Sequence, residues 1–91
     1  MKLFKDEKIN DHMFKRTVFH SCKDADLMWH RARSTMKIKV IQSNGWKIQF
    51  EEGSSHDLVD MVIPAETRRK MIKGHGDLVL EIEEIRCHFM K

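Results

Sequence analysis

Tyrosine is missing from this 91-residue chain, proline occurs once, glycine four times and cysteine twice. Each scarcity removes a class of function. Without tyrosine, and with Trp29 and Trp46 both at apolar-face positions, a base-stacking RNA surface has little to build on. Cys22 and Cys87 lie far apart and form no C-x-x-C pair, so no disulfide framework is expected. His20-x-Cys22 and Cys87-His88 come nearest to a ligand set, but neither has the spacing of a structural zinc knuckle. There is no glycine-rich phosphate loop and no nucleophile elbow. The reading is therefore of a non-enzyme with no metal and no cofactor. No apolar run approaches the ~20 residues of a membrane span. The first seven residues, Met1 to Glu7, lack the apolar heart of a signal peptide. A cytoplasmic setting with reduced thiols follows as the expectation.

What is present is an ordinary globular mixture, 41% apolar and 34% charged with a net charge of +3, which suits one domain over residues 1–91. Residues 1–10 read as a polar lead-in. Between Asp11 and Thr35 there is neither glycine nor proline, and Phe14, Val18, Cys22, Ala25, Trp29 and Ala32 recur at helical spacing. The pattern predicts a helical segment over 11–35, in one piece or two; a strand over 13–20 is the lesser alternative, because its alternation is poor. Lys15, Arg16, Lys23, Arg31 and Arg33 read there as a solvated face. Over 36–52, Ile38 and Val40, then Trp46, Ile48 and Phe50, alternate with polar residues around Asn44-Gly45, predicting a hairpin. Residues 57–91 read as strand, helix, strand. Leu78, Leu80 and Ile82 alternate, and a parity shift at Glu83-Glu84 leaves open one bulged strand or a second hairpin.

The densest signal is the run Met61 to Met71. A strand end leads into Pro64, which is tolerated at a first helical position because its missing N–H would have no partner there. Glu66 complements the helix dipole at its start, and the cations through Lys73 complement its end. The expected fold is α+β: an N-terminal helical segment packed on a small, mostly antiparallel sheet, with a short basic helix at 64–73. Arg68, Arg69, Lys70, Lys73 and His75 are the candidate site, a cationic surface able to meet phosphates.

At Val62 to Ile82 the chain resembles the AbrB/MazE/SpoVT swapped-hairpin DNA-binding group. The residues that carry the likeness are Val62-Ile63-Pro64-Ala65-Glu66-Thr67-Arg68-Arg69, Gly76-Asp77 and Leu80-Glu81-Ile82. Val59 and Asp60 depart from it, standing where the group carries a glycine and a basic residue. The resemblance implies an obligate homodimer of interlaced hairpins and DNA contact through Arg68 and Arg69. The leading expectation is thus a small non-enzymatic DNA-binding regulator of antitoxin type. One alternative is a compact inhibitor or adaptor, of the kind mobile elements and phages encode, acting on a nucleic-acid-handling protein. The other is a small ribonuclease using His75 with Arg68 and Arg69.

Overall fold

The computed structural model describes residues 3–23 and 27–85, and among them there is no helix. Eight strands follow one another: β1 (Phe4–Lys8), β2 (Met13–Val18), β3 (Thr35–Gln42), β4 (Lys47–Phe50), β5 (Ser55–Asp57), β6 (Met61–Ile63), β7 (Arg69–Ile72) and β8 (Leu78–Ile85). They form a five-stranded sheet in the order β1-β2-β8-β3-β6 and a three-stranded sheet in the order β5-β4-β7, with every pairing antiparallel. From β3 onward the chain passes repeatedly between the two sheets, so the two inner faces close on each other.

Register fixes what those faces carry, because residues directly opposite on paired strands share a side of the sheet. On the large sheet Phe4 faces Val18 and Val18 faces Leu78; Asp6 faces Arg16, and Arg16 faces Leu80; Phe14 faces Ile82, and Ile82 faces Ile38. This one side therefore gathers apolar residues from every strand, interrupted by Asp6, Lys8, Arg16 and Glu84. The small sheet contributes Ile48 and Met71, which are paired, and Phe50 and Arg69, also paired. The buried core includes Val18, Cys22, Met36, Ile38, Trp46, Ile48, Leu58, Ile63, Leu78, Leu80 and Ile82. Fully burying a side chain of this size contributes roughly 1.5 to 3 kcal/mol.

The α+β expectation is overturned. The supposed lead-in contains β1, and the first part of the supposed 11–35 helix is β2. Cross-strand hydrogen bonding wins there because Thr17, Val18 and Phe19 favour extended backbone, and because β2 has two neighbours, β1 and β8, to pair with. Ala25, expected in the core, lies outside the described residues. Trp29, also expected there, is 36% exposed.

The turn at Asn44-Gly45 forms as foreseen, with both φ angles positive at 44° and 77°. The two strands beside it do not pair. β3 joins the large sheet and β4 the small one, so the 36–52 hairpin is instead a corner between sheets.

The basic helix at 64–73 is a turn followed by β7. Glu66 takes φ = 62°, a left-handed value that ends any helical run after Pro64. Long-range partners claim the backbone: Glu66 donates to the Ala32 carbonyl at 2.7 Å and Ala65 to Thr35 Oγ1 at 3.2 Å. Residues 78–85 are one strand, and its irregular partner is β3, where the register slips between Val40 and Gln42. Asp60 accepts the Val40 N–H at 2.8 Å beside that slip.

Candidate functional site

Between the sheets lies a cavity of about 250 Å³, roughly the liquid volume of eight waters. Its floor is hydrocarbon, with Met36, Ile38, Ile48, Ile63, Leu80 and Ile82 among the lining residues. Four cationic residues border it: Arg16 from the large sheet, Arg69 and Lys70 from the small one, and Arg31 from the segment before β3.

Arg16 is held on three sides. Its Nε donates to Asp6 Oδ1 at 2.8 Å and its Nη2 to Asp6 Oδ2 at 2.9 Å, a two-point clamp on one carboxylate. Its guanidinium carbon lies 4.0 Å from the Phe4 ring centroid and 5.2 Å from that of Phe14, both within cation–π range. The cation is thus fixed in place by residues of β1 and of its own strand.

Arg69 is different. It is half-buried, and among the described residues its side chain makes no hydrogen bond and no ion pair. Burial pulls its guanidinium below its ordinary proton affinity, and the charge of Arg16 adds to the effect. Its backbone is nevertheless rigid: Arg69 and His30 exchange two hydrogen bonds of 2.8 Å, which also moor the segment before β3 across the cavity mouth. Leu27, Met28, His30 and Arg31 of that segment complete the lining. Arg31 leans toward Glu66 at 3.5 Å.

The five sequence-predicted residues do not form one basic face. Arg68 pairs with Glu51 at 2.9 Å and lies 5.7 Å from the Trp29 ring. Lys70 places its ammonium 5.8 Å from that ring. Lys73 donates to the carbonyl of Cys22. The His75 N–H donates to the Asn44 carbonyl at 2.8 Å, and its imidazole lies against Gly45. Arg69 turns inward among the apolar side chains, and Lys70 also borders the cavity. Arg16 had been grouped with a solvated helical face. Its signal was its place between Phe14 and Val18, which reads as strand alternation once a charge is allowed at an inner position.

The cavity wall supplies hydrocarbon where a metal would need converging donors. Among the described residues, no three of histidine, cysteine, aspartate and glutamate come together to hold an ion.

With this geometry established, the chain was compared with known proteins. No protein-family model matches it, and none of the curated proteins does. Solved structures do match in shape. The Neisseria meningitidis protein NMB1881 superposes with a TM-score of 0.62 at 16% identity, covering 94% of this chain and 88% of that one. A Ralstonia eutropha JMP134 protein provisionally assigned as a mannose-6-phosphate isomerase gives 0.62 at 13% identity, covering 92% and 83%. A cupin domain from Bordetella pertussis Tohama I gives 0.60 at 16% identity, covering 94% and 99%. The chain therefore has a cupin-like β fold.

This fold corrects the functional expectation as well. The regulator was to grip DNA with a solvent-facing basic helix, and that segment is a turn and a strand of the smaller sheet. The DNA-binding and antitoxin-like reading, the inhibitor and the ribonuclease are set aside on that finding. Among the described residues no helix is long and apolar enough to cross a membrane.

Proposed function

We propose that the barrel is a binding pocket for a small organic anion with a compact apolar body. The observation that carries this reading is Arg69: a half-buried guanidinium facing an apolar cavity with no anion of its own. A charge withdrawn from water without a partner is costly, and a ligand carboxylate or similar group would supply that partner. The hydrocarbon floor suits the rest of such a molecule, since small-ligand pockets pair a mainly apolar lining with a few placed polar groups. A phosphosugar, as the assignment of the Ralstonia protein would suggest, fits less well, because sugar hydroxyls would meet methyl groups. The proposal assigns recognition and no reaction.

Titration calorimetry with hexanoate tests it. Saturable one-to-one binding is expected, lost in Arg69→Met while the variant stays folded by circular dichroism. Absence of binding to hexanoate, hexanesulfonate and hexyl phosphate alike would overturn the reading, as would undiminished binding by Arg69→Met.

A further inference from the structure

We propose that Asp6 sets the charge of the ligand, making the pocket select monoanions over phosphate monoesters. This rests on the barrel being an anion pocket and specifies which anions it takes.

The register places Asp6 directly opposite Arg16, so both occupy the inner side of the large sheet. An aspartate there has no role in packing, and it spends both carboxylate oxygens on one guanidinium, at 2.8 and 2.9 Å. The pair is electrically neutral. Arg16 keeps N–H groups to offer a ligand, since a guanidinium has five and the clamp uses two, but its charge is already answered.

Arg69 is left as the uncommitted inward cation. The other cations near the mouth are engaged elsewhere: Arg31 with Glu66, and Lys70 over the Trp29 ring. One negative charge on the ligand therefore balances Arg69. A second would sit near Arg16 and confront the Asp6 carboxylate behind it, where like charges repel. The same aspartate would thus act as an internal anion that reserves Arg16 and repels the doubly charged competitor. Asp6 touches Arg16 rather than the ligand, so its role is to position and to discriminate.

Three six-carbon probes separate charge from shape. Hexanoate and hexanesulfonate are monoanions, and the sulfonate shares the tetrahedral head of hexyl phosphate, which is doubly charged at about pH 8. The native protein should bind both monoanions and take hexyl phosphate about tenfold more weakly. Asp6→Asn should recover that loss for hexyl phosphate while leaving the monoanions within about threefold. Asp6→Glu, which restores the charge, should restore the discrimination.

Equal affinity of the native protein for hexanesulfonate and hexyl phosphate overturns the proposal without any variant. An unchanged ratio in a folded Asp6→Asn protein overturns it too. Both results leave the anion pocket standing, whereas native protein that binds none of the three removes the pocket and this inference together.

Discussion

Around the Asn44-Gly45 corner the barrel is packed solid, whereas near Arg16 and Arg69 it is open and charged. At the corner, Trp46 is 1% exposed and its indole N–H donates to the Gly76 carbonyl at 2.6 Å. Asn44 Nδ2 donates to the Asp77 carbonyl at 2.8 Å, and Trp46, Leu58, Leu78 and Cys22 are all buried. The 74–77 loop approaches so closely that a Cβ on Gly74 would lie 2.1 Å from the Asn44 carbonyl oxygen. At the open part the same inner surface holds two guanidinium groups and empty volume. One region is dense, and the other gives up density around two guanidinium groups. The contrast teaches that the charged positions are departures from the packing rule, which is where a function is to be sought.

The largest effect should come from breaking the packed region. Trp46→Ala removes a buried ring and its hydrogen bond and should cost about 4 kcal/mol of unfolding free energy, read from urea denaturation. Gly74→Ala should cost about 3 kcal/mol by the same measurement, since the added methyl meets backbone rather than a movable side chain. If either variant is as stable as the parent, the corner is not the anchor described.

Arg69→Met sharpens the comparison from the other side. Removing an unpaired, desolvated charge should raise the stability of the ligand-free protein by about 1 kcal/mol while abolishing anion binding. A loss of stability would mean that Arg69 serves packing. Separating Arg16 from its carboxylate by Asp6→Ala should cost about 1 kcal/mol, because the pair is partly exposed.

The smallest expected effect is electrostatic and lies outside both regions. A hydrogen bond from Lys47, and then its charge, hold the Asp57 carboxyl below its ordinary value. A carboxylate with a depressed folded value lends stability above its unfolded value and loses it as pH falls through the folded one. Carboxyl NMR titration should show the Asp57 midpoint returning to the ordinary range in Lys47→Met.

Much of the core was legible in the residues. Alternation assigns Ile38, Val40, Trp46, Ile48, Phe50, Leu78, Leu80 and Ile82 inward; six are buried, while Val40 and Phe50 are partly buried and pack against them. The single strand over 78–85 was one of the two readings left open. The strand at 13–18 was the weaker of two readings because Arg16 at an inner position spoils the apolar alternation, so the helical spacing of Phe14, Val18 and Cys22 looked stronger. Arg69 was identified as a working cation, but its direction could not be read. Alternate residues of β7 point to opposite sides, and which side is inside depends on pairing with β4.

By itself the sequence determined where strands favour burial, where the chain reverses at Asn44-Gly45, and that residues 68–70 carry charge, because these are matters of local propensity and side-chain chemistry. Only the tertiary structure decided that β3 and β4 part into different sheets, that Pro64 leads into a turn, and that Arg16 and Arg69 meet across one cavity. Those outcomes depend on hydrogen bonds and contacts between residues distant along the chain, such as Glu66 with Ala32 and His30 with Arg69.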